Sequence, residues 1–363
     1  MHERIVFYEV RQMNMHGIKH AAIGMSLVMA SAAAQAVEWT ITDLGTLGGS
    51  SSQATAINNR GQVVGTSSLA GDISSHAFIY TNGGLYDLGT LGGASSSAAA
   101  INTQGQVVGT SGLNGTVESR GFIYSAGKLQ SIGALISGVR SSSEARAINN
   151  RAQVVGIGSN LDVPQAPRER LYAVAYDRGA LRPLNNDMLA ATGINDRGQI
   201  IGYKQVFDGL PFRARAILLD NGKLTELGTL DAVPGRASIP AGINNAGEIV
   251  GTSSNLLTGF SQAFTYRNGK MANLGAQLGY ATSEGKAINN FGDVVGAGTR
   301  PGKEGSQPFV YSKSGLTELN TLPAVLSAGW VLSEATGIND VGQIVGSGYK
   351  NGQQRAYLLT PSR

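Results

Sequence analysis

Three glutamates occupy one position of a repeated unit, and carboxylates at matched positions are the side chains of this sequence best placed to do chemistry. Glu144, Glu284 and Glu334 each lie four residues before a recurring isoleucine, at Ile148, Ile288 and Ile338; Gln53 and Ser97 stand there in the first two units. Carboxylates around one opening could hold a hard cation such as calcium through oxygen ligands. A pair of them could serve glycoside cleavage. Scattered surface glutamate is the plainer alternative, because calcium takes six or more oxygens. No cofactor is required by the sequence, and calcium is the one candidate.

Other catalytic inventories are nearly empty. His76 is the one histidine beyond residue 36, and it aligns with Arg120, Tyr172, Arg215, Gln262, Gln307 and Arg355, a merely polar slot. General-base work needs a positioned partner that the sequence does not announce. With no cysteine anywhere, disulfides and thiolate metal sites are excluded. The glycines lack the spacing and following helix of a phosphate loop. A net charge of +4 is too small to imply nucleic acid. One charged cluster, Arg168-Glu169-Arg170, lies in the longest insertion, Ile157 to Leu171, and could grip a partner or simply face water.

These residues are positioned by a unit that occurs seven times. Ile57, Ile101, Ile148, Ile194, Ile243, Ile288 and Ile338 each precede an Asn, a turn and a Val- or Ile-rich strand ending in Gly, at intervals of 44 to 50 residues. Such periods belong to repeat folds, with propeller blades the nearest match. Each unit offers four short strands separated by Asn and Gly. Asn58, Asn102, Asn149, Asn195, Asn244, Asn289 and Asn339 open the first turn, and Gly closes it in all but one copy, where Ala152 stands. Asn at the first position and a left-handed Gly at the fourth suit a type I turn, which accounts for the Asn ring without a ligand. Asn82-Gly83, Ala126-Gly127, Asn221-Gly222 and Asn268-Gly269 mark a second tight hairpin. The last unit supplies three strands, ending Arg355 to Thr360, while a lone strand, Trp39 to Gly45, precedes the first. The expected fold is therefore all-β: a seven-bladed β-propeller of four-stranded blades, closed by the N-terminal strand completing the last blade.

Residues 1–36 read as a signal peptide: Lys19 and His20 precede an apolar core, Ala21 to Ala30, and Ala34-Gln35-Ala36 forms a small-x-small cleavage site, with Met13 or Met15 as the true start. The core is too short to span a membrane. Residues 37–363 then form a single propeller domain, expected to be monomeric and secreted or periplasmic.

The sequence resembles the bacterial extracellular HAF-repeat proteins. The resemblance rests on His76-Ala77-Phe78-Ile79-Tyr80, on Asp43 to Gly49 (Asp-Leu-Gly-Thr-Leu-Gly-Gly) with a second copy at Asp87 to Gly93, and on the seven Ile-Asn units. It covers essentially all of the chain after residue 36 and implies an exported repeat protein with no catalytic residues to transfer. Ala152 and the incomplete Leu-Gly-Thr-Leu-Gly-Gly run in the third and fourth units depart from the pattern and predict less regular blades. Taken together, the expected function is a non-enzymatic binding or adhesion scaffold that contacts a carbohydrate, a cell-surface polymer or a protein through its loop-rich face. The alternatives are a polysaccharide hydrolase or lyase with carboxylates at the propeller mouth, and a structural envelope or matrix protein.

Overall fold

The computed structural model describes residues 37–135, 140–160, 171–206, 213–231, 236–255 and 258–362. The signal-peptide expectation and the Arg168-Glu169-Arg170 cluster lie outside these residues. Strand β1 is Trp39–Asp43. Blade one is β2 (Gly48–Ile57), β3 (Val63–Leu69), β4 (Ser75–Thr81) and β5 (Gly84–Asp87). Blade two is β6 (Gly92–Ile101), β7 (Val107–Leu113), β8 (Ser119–Ser125) and β9 (Lys128–Ser131). Blade three is β10 (Ser141–Ile148), β11 (Val154–Asn160), β12 (Leu171–Asp177) and β13 (Ala180–Pro183). Blade four is β14 (Ala190–Ile194), β15 (Ile200–Val206), β16 (Arg213–Asp220) and β17 (Lys223–Gly228). Blade five is β18 (Arg236–Ile243), β19 (Ile249–Asn255), β20 (Ser261–Arg267) and β21 (Lys270–Asn273). Blade six is β22 (Thr282–Ile288), β23 (Val294–Thr299), β24 (Gln307–Ser312) and β25 (Gly315–Glu318). Blade seven joins β26 (Trp330–Ile338), β27 (Ile344–Lys350) and β28 (Gln353–Pro361) to β1.

Seven four-stranded antiparallel sheets in a ring make this a seven-bladed β-propeller, and β1 pairs with β28 from Trp39 opposite Pro361 to Asp43 opposite Tyr357. Blades three and four are complete despite their weaker motifs, although β14 is five residues long against ten in β2 and β6. The Gly/Ser runs at Gly48 to Ser52 and Gly92 to Ser96 begin β2 and β6, and of the expected insertion Ile157 to Asn160 belongs to β11 and Leu171 to β12.

Burial explains the strand sequences. The second strand lies between two neighbouring blades, so Val63, Val64, Val107 and Val108 are all fully buried. The repeat Gly of that strand faces an aromatic ring on the third strand: Gly65 pairs with Phe78, Gly109 with Phe122, Gly251 with Phe264, Gly296 with Phe309 and Gly346 with Tyr357. A buried ring of this kind contributes about 2 kcal/mol. In blades three and four Val174 and Ile217 take that place, and Met188 fills the space left in blade four.

The Asn turns do more than reverse the chain. Each Asn side-chain oxygen accepts the backbone N–H four residues on. Each amide nitrogen donates to the side chain four residues on and to the carbonyl oxygen of the corresponding Asn in the next blade, at 2.9 to 3.2 Å. The last of these, Asn339 to Asn58, closes a ring of seven inter-blade bonds. Ala152 adopts φ +60 in the slot that Gly fills elsewhere, so its blade keeps the turn with a strained residue.

Candidate functional site

The innermost strand of every blade carries a β-bulge two residues before the repeat isoleucine, seen as register shifts at 54/56, 98/100, 145/147, 191/193, 240/242, 285/287 and 335/337. A bulge re-aims a side chain. Here it places Thr55, Ala99, Arg146, Thr192, Ala241, Lys286 and Thr336 on the walls of a chamber of about 270 Å³ on the propeller axis. Sequence alignment treats these positions as one more small or polar residue of an alternating strand. The available signal was that strict alternation fails where Ala54-Thr55-Ala56 meets Ile57.

Beyond the isoleucines, on the Asn-turn side, lies a polar cup of about 230 Å³. Its rim is made by the residue after each repeat Asn. Asp196 accepts from the N–H of Asn150 at 2.8 Å and from the side-chain amides of Asn150 and Asn245, both at 2.8 Å. Burial pushes the Asp196 carboxyl up, but these donors and the Arg151 charge outweigh it and hold it below the usual carboxylate range. Asp340 accepts the equivalent set from Asn290 and Asn59. Rim residues thus bond one another from Thr103 round to Asn59.

On the loop-rich side, a cavity of about 360 Å³ opens beside blade six, lined also by residues of blades five and seven. Among the described residues it is lined by Ser261, Thr282, Ser283, Thr299, Ser306 and Ser333, with Glu284, Glu334 and Lys286, and by no aromatic side chain. Glu284 and Glu334 therefore share one space, while Glu144 is not part of its lining. Each glutamate has a partner: Glu144 meets Arg146 at 3.0 Å, Glu284 meets Lys286 at 2.6 Å, and Glu334 accepts from Ser347 Oγ at 2.7 Å. Among the described residues no group of three or more His, Cys, Asp or Glu converges. Two carboxylates, one of them neutralised by a lysine, do not fit the oxygen-rich shell of calcium.

His76 does have a partner that the sequence hid, Asp87, whose carboxylate lies 2.8 Å from Nδ1. Asp87 also accepts the Gly89 N–H at 2.7 Å, opening the second Asp-Leu-Gly-Thr-Leu-Gly-Gly crossover. At the same slot, Arg120 and Arg215 donate to carbonyls of the next blade, at Ser141 and Arg236, and Gln262 reaches Ala281 O at 2.7 Å. The slot ties blades together. Exposed apolar side chains stand at three loop tips, Ile73, Val117 and Phe260. No helix among the described residues is long and apolar enough to cross a membrane.

Solved structures similar to this chain are propellers. An oligogalacturonate lyase from Vibrio parahaemolyticus superposes with a TM-score of 0.56 at 9% identity, over 89% of this chain and 97% of that one. The β-propeller domain of the Trilobed protease from Pyrococcus furiosus gives 0.54 at 10% identity, over 85% and 93%. That domain has an open velcro topology, whereas here β1 closes the ring. An oligogalacturonate lyase in complex with manganese gives 0.53 at 11% identity, over 90% and 91%. At these identities the likeness is one of fold. No family model matches the chain, and no curated protein matches it.

Proposed function

We propose that this protein is an exported, non-enzymatic binding scaffold of the HAF-repeat type that holds a carbohydrate at the loop-rich end of the propeller. The supporting observation is the cavity beside blade six, whose described lining holds six serines and threonines and no aromatic side chain. The Ser333 hydroxyl donates to Ser347 O and the Thr282 and Thr299 hydroxyls bond each other, so these oxygens keep acceptor lone pairs and the threonine pair one donor hydrogen for a sugar. A polyhydroxylated, largely neutral ligand matches that lining. The three-part signal in residues 1–36 supports export, and the exposed apolar tips at Ile73, Val117 and Phe260 suit contact with an extended polymer or surface protein.

A glycan array probed with residues 37–363, followed by calorimetry, tests the reading. Binding to one glycan class is expected, weakened about tenfold by Thr299→Val or Ser333→Ala, the loss of roughly one hydrogen bond. A blank array together with an empty pull-down from the outer surface would sink it. One observation favours a second reading, hydrolase or lyase: Glu284 and Glu334 line the same cavity. The double variant Glu284→Gln/Glu334→Gln separates the two, since an enzyme loses turnover on its glycan while a scaffold shows none before or after.

A further inference from the structure

The three spaces follow one another along β22 and the turn after it: Thr282 to Glu284 line the cavity, Lys286 and Ala287 the chamber, and Ile288 to Asn290 the cup. The chamber differs in charge from the cavity. Among the described residues its charged lining groups are Arg146 and Lys286, with no carboxylate. Its threonine hydroxyls are already committed as donors to neighbouring blades: Thr55 to Ala98 O at 2.9 Å, Thr192 to Pro240 O at 2.8 Å and Thr336 to Ala54 O at 2.8 Å. What the chamber can still offer a ligand is therefore positive charge and N–H donors. Arg146 gives Nε and Nη2 to Glu144 and keeps Nη1 for another acceptor, and Lys286 has two ammonium hydrogens beyond its contact with Glu284.

The two cations come from blades three and six, so they approach the axis from well-separated sides of the seven-membered ring. Their ion pairs are partly exposed, with side-chain exposures of 36% and 44% for Arg146 and Glu144 and of 35% and 51% for Lys286 and Glu284. Pairs of this exposure are weakly held and open to competition from another carboxylate. Ile194, Ile243 and Ile288 line both chamber and cup, giving the chamber an apolar floor that a charged group would not cross. Access is from the loop-rich side, where Lys286 lines cavity and chamber alike.

We propose that the axial chamber is a carboxylate site, and that the ligand is a saccharide carrying a single carboxylate. Its hydroxyls lie among the serines and threonines of the cavity, and its carboxylate passes Lys286 to reach Arg146, displacing Glu284 from the lysine. The glutamates at the entrance disfavour polyanions. This inference rests on the carbohydrate reading above and narrows its ligand class.

Calorimetry on residues 37–363 with a panel of hexuronates, their parent hexoses and acetate tests it. At least one hexuronate is expected to bind ten times more tightly than its parent hexose, with the advantage shrinking as salt is raised. Arg146→Met, at a residue outside the cavity lining, should remove the advantage and leave hexose binding intact; Lys286→Met should also remove the advantage, and Glu284→Gln should enlarge it by freeing Lys286. Equal affinity for each hexuronate and its hexose in the wild-type protein overturns the carboxylate site while leaving the carbohydrate reading in place, and that comparison needs no variant to fold. Acetate binding as tightly as the hexuronates overturns the saccharide part. Failure of every sugar, on the array as well as in solution, overturns the reading on which the inference rests.

Discussion

The two ends of the propeller are built from the same seven units and have opposite chemistry. At the Asn-turn end every copy makes the same bonds, and each Asn side chain spans to the next blade until Asn339 returns to Asn58. The loop-rich end differs from blade to blade: the Asp-Leu-Gly-Thr-Leu-Gly-Gly crossover leads into blades one and two, whereas short helices, α1 (Leu274–Gln277) and α2 (Pro323–Ser327), precede blades six and seven. A residue repeated in all seven copies is answerable to its neighbours in the ring. Arg146 and Lys286 break a series otherwise filled by Thr and Ala, and such departures are free to answer to a ligand.

If this contrast holds, substitutions in the shared framework should change stability, and substitutions at the loop-rich end should not. The largest effect is expected from Gly346→Ala. Its Cβ would press into the Glu334 carbonyl oxygen and sit 2.8 Å from Tyr357 Oη, so urea melts should show a loss above about 4 kcal/mol or no folded protein. Asn339→Ala removes a side chain that bonds Gln343, Val341 and the Asn58 carbonyl across the seam, and should cost about 3 kcal/mol. Ala152→Gly works in the other direction: relieving the left-handed alanine should stabilise the protein by about 1 kcal/mol.

Acid offers a finer test. The folded-state pKa of Asp196 lies below its unfolded value, so the unfolded chain takes up the proton first. The contribution is complete above the ordinary aspartate value of about 4. It is lost as pH falls through the folded value. Stability should therefore decline on acidification below that range, and Asp196→Asn should flatten the decline. The smallest effect belongs to the loop-rich end, where Thr299→Val should move the melt by less than about 0.5 kcal/mol while weakening glycan binding. A large stability loss there would break the contrast.

The blade count, the closing strand and the turn chemistry were legible because they depend on local signals: a period, an Asn-Gly pair and a strand missing at one end but present at the other. The site was only partly legible. Placing Glu284 and Glu334 in one cavity follows from adjacency of the last two units, but Lys286 escaped notice because a bulge, invisible to simple alternation, aims it at the axis. The Asp87 partner of His76 was hidden for a related reason, since it lies 11 residues away on the far side of a hairpin. Which carbonyl each repeat Asn reaches in the next blade also depends on packing between units, which no single unit encodes.

The pairing of β1 with β28 couples residues at opposite ends of the described chain, Trp39 with Pro361. A chain made from its N-terminus presents β1 first and its partner last. Until β28 exists, blade seven lacks the strand that joins β27 to β1, and β1 has no partner. The seam therefore acts as a completeness check: a chain cut short at any point before its last strand can form blades, yet leaves two unpaired edges for proteases and chaperones to recognise.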